Sequence, residues 1–221
     1  MSAPEAKPRA CVVLLHGLGR TPRSLQRLQA ALREYGYRVI NPAYPSTRAG
    51  VERLAARVLP AALAACAGTV PLHFVTHSLG GILVRQYFQA RPVPPGSRMV
   101  MLSPPNQGSE AAERMRRFAP ARWLLGPALA QLGTGPDSLP AHLAPIDMEI
   151  GVITGERSLD LWFRHLFDGP HDGKVSVTRA RLEGMRDFLV VPCSHPFIMR
   201  DTHVIGQVLF FLAHGQFNRH E

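Results

Sequence analysis

The sequence is poor in cysteine, and the few cysteines are not spaced for a structural role. Cys11, Cys66 and Cys193 are the only cysteines, and their odd number and wide spacing match neither a disulfide framework nor a zinc site. We therefore expect Cys11 and Cys66 to be unpaired core residues, and Cys193 to serve packing rather than chemistry. Unpaired thiols indicate a reducing compartment, so the sequence predicts a cytoplasmic location.

Lysine is almost absent, although the chain is basic. Only Lys7 and Lys174 are lysine among 25 basic residues, and the formal net charge is +9. The arginines are scattered apart from one group at residues 114–117, and aromatic residues do not alternate with them as a nucleic-acid platform requires. This pattern is typical of a composition bias and predicts no nucleic-acid partner. The charge is better suited to peripheral contact with anionic lipid or to an acidic substrate.

No stretch is apolar and long enough to span a membrane. Residues 58–84 carry no Asp, Glu, Lys or Arg, but Pro60, Gly68 and Pro71 interrupt them, so we expect no transmembrane helix. The apolar run that follows Arg9 is too short for a cleavable signal peptide.

Patterns for metal and cofactor binding are also missing. The ten histidines lack ligand spacing with acidic residues, and the loop at residues 17–19 lacks the further glycine and acid of a dinucleotide site. The sequence predicts no metal and no cofactor.

Short β-type runs alternate with helical patterns, which predicts one α/β domain with a parallel sheet between helices. Residues 1–9 read as a flexible tail and residues 10–221 as the domain. Strands are expected at Cys11–Leu15, Tyr37–Ile40, Leu72–Thr76, Arg98–Leu102, Glu149–Ile153 and Phe188–Val191, and the main helices at 21–35, 51–66, 78–90 and 202–213. The second helix is expected to bend or break at Pro60.

The periodic pattern weakens over about residues 106–145, a proline-rich stretch with helical pieces at Ala111–Phe118 and Trp123–Leu132. It is too long for a plain connection, so we expect either a lid over a site or an irregular helical insertion.

A serine stands where a predicted strand meets a predicted helix. The strand ending at Thr76 is followed by His77 and Ser78, and then by Gly80 and Gly81. A nucleophilic serine needs such a strand-to-helix turn, because the turn lifts the hydroxyl clear of the sheet and small neighbours let strand and helix approach closely. The structural alternative is an ordinary N-cap serine.

The segment from His77 to Gly81 resembles the nucleophile elbow of α/β-hydrolase-fold lipases and esterases, and the segment from Val13 to Gly17 resembles the oxyanion strand of that fold. Thr76 departs from the pattern, which usually has glycine there, and predicts a slightly more open turn. The resemblance covers nearly the whole chain. It implies a reduced α/β-hydrolase fold, with a mostly parallel sheet of about six strands and helices on both faces.

In that family the order along the chain is serine, acid, histidine. The turn at Asp172 resembles the acid turn of the family, and His195 follows the last predicted strand. The resemblance therefore implies Ser78 as nucleophile, Asp172 as acid and His195 as base. Asp168 is the alternative acid, or a plain turn residue. His203, in the final helix, is the alternative base, or a surface residue.

The resemblance also implies an oxyanion hole made of the backbone N–H groups of Leu18 and Leu79. Pocket candidates follow the carboxyl ends of strands, where open parallel sheets bind ligands. They are Gly17, Tyr44, His77, Asn106 and Gln107. A structural turn capped by Ser109 explains residues 103–109 equally well.

The function implied is hydrolysis of a carboxylic ester, from a small molecule or a lipid, through an acyl-enzyme. A thioesterase, amidase or acyltransferase would use the same residues. A catalytically silent binding protein on this fold is the alternative from a different class.

Overall fold

Six parallel strands form one sheet at the centre of the structure. The computed structural model describes residues 8–69, 71–159 and 164–219, so most of the predicted tail lies outside the described residues. The strands are β1 Cys11–Leu15, β2 Arg38–Ile40, β3 Leu72–His77, β4 Arg98–Leu102, β5 Glu149–Gly155 and β6 Asp187–Val191. Their order is β2-β1-β3-β4-β5-β6, and every neighbouring pair is parallel. This confirms the predicted fold class.

Helices cover both faces of the sheet because alternate strand residues point to opposite sides. The helices are α1 Gln26–Glu34, α2 Val51–Ala65, α3 Leu79–Tyr87, α4 Glu110–Met115, α5 Ala119–Leu125, α6 Pro127–Gln131, α7 Leu139–His142, α8 Val177–Ala180 and α9 Thr202–His214. From β1, Val13 and Leu15 pack with α2 and α3, whereas Val12 and Leu14 pack with α1 and α9. The sheet is thus buried on both sides.

The last helix shows how local sequence sets element boundaries. The Asp201 carboxylate accepts a hydrogen bond of 3.0 Å from the Val204 N–H and so caps the first turn of α9. Gly215 ends the helix in the left-handed conformation, with φ of 76°, which glycine adopts without steric cost.

The predicted interruption at Pro60 does not occur, because α2 runs from Val51 to Ala65 with the proline inside it; a bend at Pro60 stays a prediction. A proline removes the hydrogen bond to the carbonyl four residues earlier. Pro60 and Ala56, which carries that carbonyl, are both exposed, so water can supply the missing partner.

The prediction of unpaired Cys11 and Cys66 is also wrong. The two residues form a disulfide that joins the start of β1 to the end of α2, with a Cα–Cα distance of 5.7 Å. Strand and helix pack side by side across 55 residues of sequence, a proximity that spacing alone does not reveal. Disulfides are rare in reducing compartments, so the argument for a cytoplasmic location loses its basis. Cys193 is free and half-buried.

The segment over residues 106–145 is an irregular helical insertion built from α4, α5, α6 and α7. The helical piece predicted at Trp123–Leu132 is divided at Gly126 into α5 and α6. The apolar residues of the segment pack on the α2–α3 side of the sheet. Whether it moves as a lid stays a prediction.

Loss of the disulfide should destabilise the fold. Because the bond spans 55 residues, Cys66→Ala should lower the free energy of unfolding by about 4 kcal/mol through the entropy of the unfolded chain. Urea unfolding monitored by circular dichroism measures this. Cys193→Ala is the matched control, since it removes a thiol that forms no disulfide. Equal losses in the two variants would contradict the pairing.

Candidate active site

Ser78 lies in a strained turn between β3 and α3. Its backbone has φ of 50° and ψ of −120°, a combination that costs a non-glycine residue about 1–3 kcal/mol. The turn is tied to the sheet by the Ser78 N–H, which donates to the Leu102 carbonyl at 2.9 Å. Strain of this kind persists only where the surroundings impose it, and it commonly marks functional sites.

Two glycines make this turn possible. A Cβ on Gly80 would collide with the backbone carbonyl of Leu15, so glycine allows α3 to begin directly against β1. A Cβ on Gly81 would lie 3.0 Å from Thr76 Oγ1 and would overlap Met101. Gly81 therefore leaves room for Thr76 where the family pattern has glycine.

Asp172 and His195 form a buried hydrogen-bonded pair. His195 Nδ1 lies 2.7 Å from Asp172 Oδ2, and the other carboxylate oxygen accepts hydrogen bonds of 2.9 Å from the N–H groups of Lys174 and Val175. The backbone N–H of His195 also donates to the backbone carbonyl of Asp172 at 3.0 Å. These contacts hold both side chains in place. The other ring nitrogen of His195, Nε2, is not bonded to the carboxylate.

The alternatives lie away from this pair. Asp168 is exposed and lines a different cleft, beside Arg114 and His165. His203 is exposed on the first turn of α9. The geometry thus favours Asp172 and His195 over both rivals.

The carboxylate of Asp172 stays ionised at neutral pH. Burial alone would raise its pKa, but the charge and hydrogen bond of His195, together with two backbone N–H groups, more than offset burial and lower the pKa. A lowered pKa means that the pair contributes stability above the pKa of a free aspartate, and that this contribution is lost as pH falls through the lower value.

His77 packs beneath the imidazole of His195. Its Nε2 lies 3.0 Å from the His195 carbonyl, and the two ring centroids are 4.8 Å apart. Burial, and then the neighbouring His195 and Arg20, lower the pKa of His77 well below its usual value. The ring is therefore neutral and can donate its Nε2–H to that carbonyl, which favours a positioning role over proton transfer.

The candidate oxyanion donors lie on either side of the elbow. Leu79 is the first residue of α3, so its N–H has no acceptor within the helix. Leu18 lies in the loop after β1, which is held by the Gly19 N–H donating to Ser46 Oγ at 3.0 Å. Gly17 packs on the same turn, since a Cβ there would lie 2.8 Å from His77 Nδ1. Binding of an oxyanion by these groups stays a prediction.

Tyr44 supports this loop and does not line the cavity beside Ser78. Its ring stacks on His16 with centroids 3.9 Å apart and an angle of 8°, and its hydroxyl donates to the His16 carbonyl. Burial raises the pKa of Tyr44, so the hydroxyl remains protonated and keeps donating. Sequence position alone identified Tyr44 as near the site but could not show that it faces the loop.

A cavity of about 240 Å³ opens beside Ser78. Its polar lining consists mainly of Ser78, His77, His195, Arg20 and Lys174. Its remaining walls are mostly apolar. The insertion contributes Ser109, Ala112, Met115, Leu125, Leu129 and Leu132, and the rest of the domain contributes Leu18, Pro105 and Val175. The wall residues of the insertion were not predicted, because their only signal in the sequence is apolar spacing within a proline-rich stretch.

No hydrogen bond joins the Ser78 hydroxyl to the His195 imidazole among the contacts of the described residues. The structure nevertheless brings Ser78 and His195, the predicted nucleophile and base, to one cavity. Asp172, the predicted acid, is hydrogen-bonded to His195 Nδ1. Hydrogen bonds between catalytic groups are often formed fully only when substrate is bound.

Asn106 and Gln107 do not line this cavity, and their side-chain amides hold the insertion to the end of α8. The side-chain amide of Asn106 donates to the Ala180 carbonyl at 2.9 Å, and the side-chain amide of Gln107 donates to the Arg181 carbonyl at 3.2 Å. Ser109 caps α4 by accepting from the Ala112 N–H at 3.0 Å. The structural explanation of residues 103–109 therefore accounts for Asn106 and Gln107.

Burial, and then the neighbouring Asp201, raise the pKa of Cys193 to about 11, so its thiol is neutral. Over residues 8–69, 71–159 and 164–219, His, Cys, Asp and Glu form no group of three that could hold a metal ion. Within the same ranges, no helix is long and apolar enough to cross a membrane.

A parallel sheet with a serine on a strained strand-to-helix turn, and a buried acid–imidazole pair in later loops, defines the α/β-hydrolase class of folds. The chain belongs to the alpha/beta hydrolase family, whose model matches residues 12–210. No curated protein matches the sequence.

Solved structures of hydrolases share the fold. A Bacillus licheniformis lipase in mature form superposes with a TM-score of 0.69 at 16% identity, over 96% of each chain. An esterase from Thermogutta terrifontis gives a TM-score of 0.59 at 14% identity, over 95% of this chain and 92% of that one. A Legionella pneumophila phospholipase gives 0.58 at 20% identity, over 77% of this chain and 45% of that one. At these identities the similarity establishes the fold.

Removing the Tyr44 hydroxyl should destabilise the protein. Tyr44→Phe keeps the ring stacked on His16 but leaves the buried His16 carbonyl without this donor, so we expect a loss of about 1–3 kcal/mol in the free energy of unfolding. Urea unfolding is the measurement. Tyr35→Phe, on an exposed ring, should change the value little. Matching values for the two variants would show that the Tyr44 hydrogen bond contributes nothing.

Proposed function

We propose that the protein is a serine hydrolase that cleaves carboxylic esters through an acyl-enzyme on Ser78. The observation that carries this proposal is that His195, hydrogen-bonded to the buried Asp172 at 2.7 Å, lines the same cavity as Ser78. A buried carboxylate holds the imidazole in one tautomer with the proton on Nδ1, so Nε2 can accept the proton of a serine hydroxyl.

In the first half of the proposed reaction, Ser78 Oγ attacks the carbonyl carbon of the ester while its proton passes to His195 Nε2. The carbonyl electrons move to oxygen, and the N–H groups of Leu18 and Leu79 donate to the resulting oxyanion. Each such donor is worth about a hundredfold or more in rate. Collapse of this intermediate breaks the bond between the carbonyl carbon and the alkoxy oxygen. The alkoxy group takes the proton from His195 and leaves as the alcohol, and the acyl group stays on Ser78 as the acyl-enzyme.

In the second half, water attacks the acyl-enzyme and gives its proton to His195. Collapse of the second intermediate returns the proton to Ser78 and releases the carboxylic acid. Throughout, Asp172 remains ionised and stabilises the imidazolium. Its lowered pKa is the property this role requires.

The cavity favours an acyl group as the bound part of the substrate. Leucine, methionine and valine side chains form much of its walls, and burying an alkyl chain against them is worth about 0.8 kcal/mol per methylene. The volume of about 240 Å³ is smaller than typical drug-sized pockets of about 300–1,000 Å³. We therefore expect esters of short or medium acyl chains to be better substrates than long ones.

A fluorophosphonate probe tests the nucleophile directly. Wild-type protein should become labelled, and Ser78→Ala should not be, with a fall in turnover of p-nitrophenyl esters on the order of a millionfold. Ser103→Ala is the matched control, because Ser103 is the other non-glycine residue described with a positive φ. Labelling of Ser78→Ala, or no turnover of any ester, thioester or amide by folded wild type, would refute the proposal.

The acid is tested by a pair of matched substitutions. Asp172→Asn should lower kcat by about 10⁴-fold, because an amide favours the wrong imidazole tautomer. Asp168→Asn, on an exposed residue, should leave kcat unchanged. Steady-state kinetics on one p-nitrophenyl ester measures both. The reverse ranking of the two variants would transfer the role of acid to Asp168.

A further inference from the structure

α5 exposes large apolar side chains to solvent. It is the one α-helix, among those the structure describes, with no buried residue. Trp123 is 87% exposed, Leu124 is 67% exposed, and Phe118 immediately before the helix is 50% exposed. A cluster of exposed large apolar side chains commonly marks contact with another molecule.

The opposite side of α5 is anchored to the domain. Leu125 lines the cavity beside Ser78, and Ala121 packs against the core. The Gly126 N–H ends the helix by donating to the Arg122 carbonyl at 2.8 Å. The exposed side chains are therefore presented by a helix that is packed in place.

The arginines beside these apolar side chains outnumber the acids that pair with them, which are Glu113 and Asp137. Residues 114–124 contain four arginines and no Asp or Glu. Glu113 pairs with Arg116 at 3.0 Å and with Arg117 at 3.3 Å. Arg114 lies over the ring of Phe118 at 5.1 Å, and Arg122 is exposed. The surface thus combines exposed apolar groups with an excess of positive charge.

We propose that this surface, the α5 face, docks on an anionic lipid bilayer. We define the α5 face by Phe118, Trp123 and Leu124 with Arg114, Arg117 and Arg122. Tryptophan and leucine suit the boundary between headgroups and acyl chains, and arginines bind lipid phosphates. A second copy of the chain fits less well, since each copy carries a formal charge of +9 and would present the same arginines to the other.

This inference goes beyond the proposed function, because docking requires none of the chemistry at Ser78. It does connect to the site through Leu125, which belongs to the same helix and lines the cavity. A docked protein would hold that cavity next to the lipid surface.

Co-sedimentation with vesicles tests the proposal. Wild type should bind vesicles of phosphatidylcholine mixed with phosphatidylglycerol, and bind pure phosphatidylcholine vesicles much more weakly. Arg117→Gln combined with Arg122→Gln should weaken binding about 30-fold, since each arginine at an anionic surface contributes about fivefold. Trp123→Ala combined with Leu124→Ala should weaken it at least about tenfold.

The matched control is Arg27→Gln combined with Arg33→Gln, which removes the same charge from exposed positions on α1. α1 covers the opposite face of the sheet, so this variant should lose much less affinity for anionic vesicles than the Arg117–Arg122 variant does. All variants should keep the circular dichroism spectrum of wild type. Equal binding by wild type and the Trp123–Leu124 variant, or equal losses in the two arginine pairs, would overturn the proposal.

Tryptophan fluorescence gives a second readout. In a Trp162→Phe background, Trp123 is the only tryptophan. Its emission should shift to shorter wavelength on anionic vesicles, and brominated lipid should quench it. Size-exclusion chromatography supplies the competing outcome. A dimer that forms without lipid and is lost in the Trp123–Leu124 variant would assign the face to a second copy and refute docking on lipid.

Discussion

The close approach of α3 to β1 is the constraint on which the site depends. Gly80 lies against the Leu15 carbonyl where no side chain would fit, so the helix begins directly beside the strand. Ser78 is thereby held at φ of 50°, and the loop that follows β1 is brought to the same turn. A larger residue at position 80 would separate the helix from the strand and would move the candidate nucleophile relative to Leu18. One backbone contact thus sets the geometry of both the serine and its proposed oxyanion donor.

A buried arginine connects this turn to the wall of the cavity. Arg85 lies in α3, and its guanidinium donates to the Asn106 side chain at 3.2 Å and to the Leu143 carbonyl at 2.7 Å. Asn106 and Leu143 stand near the two ends of the insertion, so one side chain holds both ends to the helix that carries Ser78. Burial lowers the pKa of Arg85 to about 10, and the group still remains charged at neutral pH. The insertion can therefore be irregular inside and yet fixed at its base.

Sequence patterns predicted the elements with strong periodicity and the residues with fixed places in the topology. All six strands lie within a few residues of their predicted positions, because buried parallel strands are short apolar runs with clear ends. The resemblance to the hydrolase family implied Asp172 and His195, through its acid turn and its order along the chain, and the structure brings the two together. Contacts between distant segments were not predictable. The Cys11–Cys66 bond and the stacking of Tyr44 on His16 depend on how β1 packs against its neighbours. The continuity of α2 at Pro60 depends on an exposure that could not be read from the sequence.

Buried polar groups without a hydrogen-bond partner are concentrated at the carboxyl ends of the strands, where the candidate site lies. His16 Nε2, Thr76 Oγ1, His77 Nδ1, Ser103 Oγ and Thr154 Oγ1 are buried without a hydrogen-bond partner among the described residues. They lie at or just beyond the carboxyl ends of β1, β3, β4 and β5, where Ser78 and Ser103 also have positive φ angles. Each such group costs about 1–3 kcal/mol, and natural folds accept such costs mainly where function requires them. The disulfide stands at the opposite end of β1, at Cys11. It stabilises the strand whose other end leads into the His16 loop, so stability is supplied away from the chemistry and the site keeps the strained geometry that the proposed reaction needs.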